Sequence, residues 1–332
     1  MAPRVTGIGS WPGTDPRRVN GLVRDLLAEN GLPYLAELPD RGPGADLIGR
    51  TAALLPDLSV DLQPSGWRLS GGRGRDAARG AAYLRQDLDE LAEAYDGYAG
   101  ELKLSLCGPW TLAASVALPR GEKALSDPGA CRDLRQALLA AATEHVDKVS
   151  SLIPGADIVL QFDEPSLTGV LAGSVPTASG FSRLRSVDEQ TAREALTELT
   201  AGLAPRVRSV VVHTCAPSPP LRMLADVPDL AVAVDVALLG GAEWDLVAEA
   251  VEASRPPWLG VVPTDATGTH PGRYVERVLA MWRRLGLPDA GLSTLTLSPA
   301  CGLAGRSPDA ALGVARLVQA AAHELGEIAQ GS

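Results

Sequence analysis

Two cysteines and a histidine follow apolar runs of this chain and together have the types and spacing of metal ligands. Three valines at 210–212 precede His213 and Cys215, and Cys301 ends a Ser-Pro-Ala-Cys segment at 298–301. Side chains two residues apart on a strand point the same way, so His213 and Cys215 can face one centre, with Cys301 as a third ligand. Zinc sites that do chemistry commonly keep three or four N, S or O protein ligands and leave or exchange one position for a substrate. The pattern therefore predicts a catalytic zinc site.

Asp235 is the candidate for a fourth ligand, because it ends the apolar run Ala-Val-Ala-Val-Asp at 231–235. A carboxylate buried without a partner is costly, and a metal ion would be such a partner. A helix cap or an ion pair with an arginine explains the residue equally well, so both interpretations stay open.

Composition limits the class of protein. The chain has 332 residues, of which 45% are hydrophobic and 21% charged, enough for a large core in one α/β barrel. The net charge of −10 disfavours binding to nucleic acid. Four cysteines give no disulfide framework and suit a reducing compartment. We find no signal peptide and no apolar run near the ~20 residues of a membrane span, and expect a cytoplasmic protein without a membrane partner.

Short apolar runs alternate with longer helical patterns along the chain. The predicted strands are 5–11, 32–38, 102–106, 158–163, 209–215, 230–236, 259–263 and 292–298. The predicted helices are 16–29, 75–99, 129–151, 187–203, 243–254, 272–285 and 308–325, with a weaker one near 219–225. Eight such repeats predict a (β/α)8 TIM barrel, and a doubly wound open sheet is the alternative.

The predicted barrel spans residues 1–332 as a single domain. The connection at about 41–79 is much longer than the others and is predicted to pass over the barrel mouth. Its glycine-rich segment 71–75 lacks the ending and setting of a phosphate-binding loop, so a mobile loop is expected.

Polar residues gather at or just beyond the carboxyl ends of the predicted strands. They are Ser10, Glu37, Asp163, Glu164, His213, Cys215, Asp235 and Cys301. That end is the catalytic face of a barrel. Taken singly, a cysteine is usually a small buried hydrophobe and a histidine a packed residue, but the joint placement favours a site.

Five segments occur in an order that resembles one enzyme family. They are Ile8-Gly9-Ser10-Trp11-Pro12, Cys107-Gly108-Pro109-Trp110-Thr111, Gln161-Phe162-Asp163-Glu164-Pro165, His213-Thr214-Cys215 and Ser298-Pro299-Ala300-Cys301-Gly302-Leu303. The sequence is similar to the C-terminal catalytic barrel of cobalamin-independent methionine synthase, over about 5–321. The resemblance implies a zinc-dependent methyltransferase that moves a methyl group to the thiolate of L-homocysteine, with one zinc ion per chain.

Site residues follow from the same resemblance. His213, Cys215 and Cys301 correspond to the family's zinc ligands, and Asp235 stands where the family has a glutamate that is one methylene longer. Ile8, Gly9 and Ser10 match the segment that holds the carboxylate of the amino acid. Asp163 matches the carboxylate that pairs with its ammonium group, and Glu37 is the best match to a second one.

The chain also departs from the family. Full-length folate-using members carry an additional N-terminal barrel, for which this chain has no room, so the methyl donor is either methyltetrahydrofolate or a methylated corrinoid protein. The family's general-acid histidine has no clear counterpart, and Asp265 or His270 is predicted to replace it. Trp11 and Trp110 are predicted either to stack on a planar donor or to pack in the core.

Two other functions remain open at this stage. A zinc alkyltransferase acting on another thiol, such as coenzyme M, would share the metal site and differ in the amino-acid clamp. A barrel that only binds a ligand or partner is the other alternative, although retention of His213, Cys215 and Cys301 argues against it.

Overall fold

Eight parallel strands, connected mainly by helices, form the body of the protein in a computed structural model that describes residues 2–72 and 74–331. Arg73, in the glycine-rich segment, lies outside the described residues. The strands are β1 (Arg4–Thr6), β2 (Gly31–Leu32), β3 (Ser59–Gln63), β4 (Gly66–Ser70), β5 (Ala99–Cys107), β6 (Gly155–Asp163), β7 (Ser209–Thr214), β8 (Leu230–Asp235), β9 (Trp258–Val262) and β10 (Thr296–Pro299). All but β3 and β4 belong to the one sheet, in the order β2-β1-β10-β9-β8-β7-β6-β5.

The sheet closes on itself between the segment after β2 and β5. The amide of Leu35 donates to the carbonyl of Lys103, and the amide of Lys103 donates to the carbonyl of Pro33. Closure pairs backbone hydrogen-bonding groups at both edges of the sheet and gives the predicted (β/α)8 TIM barrel.

Eleven helices surround the sheet in the described part of the chain. They are α1 (Pro16–Leu27), α2 (Leu47–Ala52), α3 (Arg75–Ala94), α4 (Pro109–Ser115), α5 (Pro128–Leu152), α6 (Leu167–Leu171), α7 (Glu189–Leu203), α8 (Leu221–Ala225), α9 (Gly241–Glu252), α10 (Gly272–Arg284) and α11 (Pro308–Ala329). Eight of them overlap predicted helices, while α2, α4 and α6 were not predicted. Side chains of Asp127, Asp188 and Ser307 cap the first turns of α5, α7 and α11. In the described part of the chain, no helix is both long and apolar enough to cross a bilayer.

Three predicted strands, 5–11, 32–38 and 292–298, are shorter than their apolar runs, and the last begins only at Thr296, after a 3-10 helix over Asp289–Thr294. The regular part of β1 ends at Thr6, and contact with the next strand resumes at Ser10, which bridges Glu37. The pairing of Thr6 with Leu32 and of Ser10 with Glu37 leaves one extra residue on the second strand. This irregularity, like a β-bulge, brings Ser10 beside Glu37 at the barrel mouth.

The long connection between the second and third barrel strands contains structure that the sequence did not predict. It forms α2 and an antiparallel hairpin of β3 and β4, in which Gln63 pairs with Gly66. The hairpin is held by backbone hydrogen bonds between β4 and Ala117, just beyond α4. The beginning of the connection faces the barrel mouth, where Ala45 and Leu47 line the central cavity.

Three clusters of buried apolar side chains make up the core. One lies outside β5, β6 and β7, and a second lies outside β8, β9, β10 and β1. The third fills the lower barrel interior with Leu32, Val159, Val211, Ala233 and Trp258. Between this cluster and the barrel mouth, the inward-facing positions of β5 and β6 are polar, so polar side chains surround the upper barrel interior.

Candidate active site and metal centre

A cavity of about 280 Å³ opens at the carboxyl ends of the barrel strands. Predicted site residues contribute much of its wall, namely Ile8, Ser10, Glu37, Asp163, His213, Cys215 and Cys301. The structure therefore brings together side chains that are as many as 293 positions apart in the chain, the separation of Ile8 from Cys301.

The three predicted metal ligands form one cluster in this cavity. One ligand atom each from His213, Cys215 and Cys301 lies within 4.8 Å of the others. His213 is the penultimate residue of β7, Cys215 directly follows this strand, and the turn after β10 carries Cys301. Gly260 makes room for that turn, because a Cβ there would lie 2.8 Å from the Cα of Ala300.

His213 is oriented by a carboxylate. Its Nδ1 lies 2.7 Å from Oδ1 of Asp163, and its Nε2 is buried with no hydrogen-bond partner among the described residues. An ionised carboxylate only accepts, so Nδ1 carries the proton and Nε2 keeps its lone pair. Burial works against a charged His213, but the hydrogen bond and charge of Asp163 outweigh it and raise the pKa of His213.

The two cysteines share a short contact. Their Sγ atoms are 3.0 Å apart, and the hydrogen bond that links them raises the pKa of Cys215 and lowers that of Cys301. Two sulfurs and one unpartnered imidazole nitrogen at the edge of an open cavity are the donor set of a catalytic zinc site. The residues present thus fit a zinc ion.

Asp235 lies outside the three-residue cluster. Its Oδ1 accepts a hydrogen bond from the amide of Ala237 at 2.8 Å and caps the 3-10 helix Val236–Leu238. Its negative charge contributes to the raised pKa of Cys215, so the carboxylate lies on the same side of the barrel. The structure shows the capping role, and the role as a metal ligand stays a prediction.

The other wall of the cavity carries two carboxylates and a hydroxyl. Oε1 of the buried Glu37 lies 2.5 Å from Nη1 of Arg50, and burial raises the pKa of Glu37 while Arg50 opposes that rise. The amide of Leu303 donates to the carbonyl of Ser10, which joins the Cys301 turn to this wall. Gly302 must be small, because a Cβ there would lie 2.1 Å from Oγ of Ser10.

Gly9 is positioned by its backbone. It has a φ of 153°, a region that favours glycine, and a Cβ there would approach Oγ of Ser105 to 3.2 Å. Its carbonyl accepts from the amide of Glu37 at 3.1 Å. Gly9 thus connects the Ser10 segment to the Glu37 segment.

A buried polar network beneath the cavity was missed by sequence reasoning. Nζ of Lys103 donates to the carbonyls of Gly7 and Ile8, each at 2.7 Å, and to Oε1 of Gln161 at 2.6 Å. Burial lowers the pKa of Lys103 to about 7, against the charges of Asp163 and Glu37. The alternation of apolar and polar residues at 102–107 was the available signal, because every second residue of a barrel strand faces inward.

Glu164 has a structural role. Its carboxylate accepts from the amides of Trp110 and Thr111, each at 2.8 Å, and from Oγ1 of Thr111 at 2.7 Å. Gly108 permits this approach, because a Cβ there would lie 2.5 Å from the Glu164 carboxyl group. The Gly-Pro-Trp-Thr and Asp-Glu-Pro segments therefore fasten the start of α4 to the end of β6.

Four residues considered from the sequence lie away from the cavity. Asp265 and His270 are exposed in the loop after β9 and do not line it, so their role as a general acid stays a prediction. Trp11 and Trp110 are buried, at 2% and 3% exposure, and do not line it either. Of the two interpretations of these tryptophans, the structure favours core packing.

Comparison with known proteins places this chain in a family. The profile described as "Cobalamin-independent synthase, Catalytic domain" matches residues 98–324. A B12-independent methionine synthase from Shewanella sp. W3-18-1, solved in complex with selenomethionine, is similar in fold with a TM-score of 0.63, 13% identity and 100% of each chain covered. The zinc-bound IOLI protein gives a TM-score of 0.39 at 12% identity, over 75% of this chain and 84% of that one. No curated protein matches significantly.

Fold and site together define a (β/α)8 enzyme with a candidate His-Cys-Cys metal centre at the barrel mouth. The chain belongs to the family of cobalamin-independent methionine synthases, whose catalytic domain it matches over most of its length. It is accordingly a methyltransferase.

Proposed function

We propose that this chain transfers a methyl group to the thiol sulfur of L-homocysteine, with zinc held by His213, Cys215 and Cys301, and thereby forms methionine. One observation carries the proposal: the buried, unpartnered Nε2 of His213 shares a cavity with two cysteine sulfurs and with the carboxylates of Asp163 and Glu37. The selenomethionine bound by the Shewanella enzyme supports a methionine-like product here.

Each end of the amino acid has a matching partner in the cavity. Among the described residues, Gln161 and His213 contact Asp163 only at Oδ1, and Arg50 contacts Glu37 only at Oε1. The second oxygens of the two carboxylates are therefore free to accept the ammonium group through charge-assisted hydrogen bonds. In the proposal, the hydroxyl of Ser10 and the adjoining backbone hold the carboxylate of the amino acid.

The acceptor sulfur lies at the other end of the amino acid, toward the cysteines. A free thiol with a pKa near ~8.5 is mostly protonated at neutral pH, and zinc, when bound, would supply a Lewis acid that keeps this sulfur anionic. Asp163 fixes the orientation of His213 as one ligand. The residues that hold the amino acid, Ser10, Glu37 and Asp163, fix the position of its sulfur. Orientation of the reacting atoms then supplies much of the rate.

The donor approaches from the open side of the cavity. In the proposal it is methyltetrahydrofolate or a methylated corrinoid protein. Among the described residues that line the cavity there is no Phe, Tyr or Trp on which a planar donor could stack. Assays with methyltetrahydrofolate and with methylcobalamin, each with homocysteine, will identify the donor class from the methionine formed.

The decisive test combines metal content with methyl transfer. Protein purified without added metal is expected to contain about one zinc per chain, and Cys301→Ser is expected to lose both zinc and activity. Cys131→Ser is the matched control, because Cys131 lies on α5 with its Sγ directed to the carbonyl of Ala124. Absence of metal in the unmodified protein, even after zinc is offered, would refute the proposal.

A further inference from the structure

A continuous line of hydrogen bonds runs beneath the cavity from β5 to the proposed metal centre. Oε1 of Gln161 accepts a hydrogen bond from Nζ of Lys103. Nε2 of Gln161 donates to Oδ1 of Asp163 at 2.8 Å and to the carbonyl of Ile8 at 2.9 Å. The same Oδ1 of Asp163 receives Nδ1 of His213 at 2.7 Å. Lys103 and Gln161 have no exposed surface, so water does not compete for these bonds.

The Ile8 carbonyl and Lys103 together set the direction of the bonds at Gln161, because a carbonyl oxygen can only accept and therefore receives Nε2 of Gln161. An ammonium group can only donate, and its three N–H bonds match the three acceptors around Nζ. Gln161 must therefore turn its oxygen toward Lys103 and its NH₂ toward Asp163. With its oxygen fixed, the amide cannot flip to present an acceptor to the Asp163 carboxylate, and Asp163 stays available to the proton on Nδ1 of His213.

The same two side chains also hold the opposite wall of the cavity. The carbonyl of Ile8 accepts from Lys103, from Gln161 and, at 3.3 Å, from Oγ of Ser105. Three donors on one carbonyl fix the backbone from which Gly9 and Ser10 project.

We propose that Lys103 and Gln161 are positioning residues that orient Asp163, and through it the metal-binding nitrogen of His213, while fixing the Ile8 backbone beside the amino-acid site. This inference rests on the proposed function, because it takes Nε2 of His213 as a zinc ligand. Partners of metal-binding histidines typically contribute 10–100-fold to metal affinity or activity.

A simpler role would be charge balance, in which Lys103 only neutralises the buried carboxylates of Glu37 and Asp163. Substitutions at Gln161 separate the two roles, since they leave the charge of Lys103 in place. Gln161→Met keeps the size of the side chain and removes both its donor and its acceptor. Gln161→Glu keeps an acceptor for Lys103 but replaces the donor to Asp163 with oxygen.

The experiment measures zinc affinity by chelator competition and KM for homocysteine in both variants. Both are expected to bind zinc about 10–100-fold more weakly than the unmodified protein and to raise KM. Val159→Ala is the control for packing, because Val159 lies two residues earlier on β6 and faces the same interior beside Lys103, while its apolar side chain makes none of these hydrogen bonds. It is expected to lower the melting temperature while leaving zinc affinity within about threefold.

A double-mutant cycle with Asp163→Asn tests whether the effect passes through Asp163. Adding Gln161→Met to Asp163→Asn is expected to cause little further loss of zinc affinity. Unchanged affinity in both Gln161 variants, an equal loss in Val159→Ala, or a fully additive cycle would each overturn the inference. Failure of the unmodified protein to bind zinc would instead refute the proposed function, so the two failures are distinguishable.

Discussion

The sulfur atoms of Cys215 and Cys301 lie 3.0 Å apart, although 86 positions separate the two residues in the chain. Around a tetrahedral zinc ion with Zn–S bonds of about 2.3 Å, two sulfurs would be about 3.7 Å apart. The cysteines are therefore already assembled, and only a small opening of the pair is needed to admit the metal.

Zinc is expected to stabilise the folded protein. Because the assembled ligand set exists only in the folded chain, free zinc at a thousandfold above its Kd should raise the free energy of unfolding by about 4 kcal/mol. Chemical denaturation with and without a chelator measures the difference. Cys215→Ser should abolish the gain and Cys131→Ser should keep it; a gain that persists in Cys215→Ser would contradict the ligand assignment.

Glu37→Gln is expected to weaken homocysteine binding without releasing zinc. The glutamine still offers an oxygen to Arg50, but the substitution removes a negative charge from the proposed ammonium site. A hydrogen bond to a charged group contributes about 1.5–3 kcal/mol of free energy. KM for homocysteine should rise roughly 10–100-fold, as measured by initial rates, while zinc content stays constant.

Asp163→Asn is the informative comparison for Glu37→Gln. Asp163 contacts His213, so its substitution should reduce zinc affinity and substrate binding together. If Glu37→Gln also lost zinc, Glu37 would not be confined to binding the amino acid, and the proposed separation of the amino-acid site from the metal centre would be wrong.

Asp235→Asn tests the fourth ligand. Asparagine is as good a helix cap as aspartate, so the bond to Ala237 should persist and stability should change little. Loss of the charged oxygen should weaken zinc binding at least about tenfold if Asp235 ligates the metal. Chelator competition and a melting curve on the same sample measure the two effects. Unchanged zinc affinity would leave Asp235 with its capping role alone.

Glu164 should make stability depend on pH. Burial raises the pKa of Glu164 from 4.5 to about 7, against the hydrogen bonds from Thr111 and Trp110. The folded chain therefore holds this proton more tightly than the unfolded chain, and its stabilising effect is complete below pH ~4.5 and lost as the pH rises through about 7.

Glu164→Gln removes that titration. Denaturant unfolding of zinc-free protein should show the unmodified chain losing up to about 3 kcal/mol relative to the variant between pH ~4.5 and ~7. If the free energy of unfolding changed with pH in the same way in both proteins, Glu164 would not titrate in this range.

The barrel was predictable from the sequence because its signals are local. Apolar runs such as 209–215 and periodic helices such as 308–325 each specify an element, and their alternation specifies the topology. The hairpin of β3 and β4 was not predicted, because its short strands depend on backbone hydrogen bonds to Ala117, which lies far away in the chain. Strand formation in that segment depends on tertiary contacts rather than on a local sequence signal.

The clustering of His213, Cys215 and Cys301 could be predicted for a similar reason, and the residues that support this cluster could not. A thiol and an imidazole at the end of an apolar run are conspicuous, whereas Gln161 and Lys103 are ordinary polar residues until the barrel closes around them. Asp163 was predicted to bind substrate, but its bond to His213 depends on the register of β6 against β7, which pairs these two residues.

The proposed metal site spans a division in the barrel. His213 and Cys215 end a strand packed on one outer core, while Cys301 follows a strand packed on the other. A zinc ion between them would act as a crosslink that makes the two halves unfold as one cooperative unit. Without it, the β7–β8 ladder and the closure of the sheet still join the two outer cores, but we expect hydrogen exchange in β8–β10 to be less closely coupled to exchange in β5–β7.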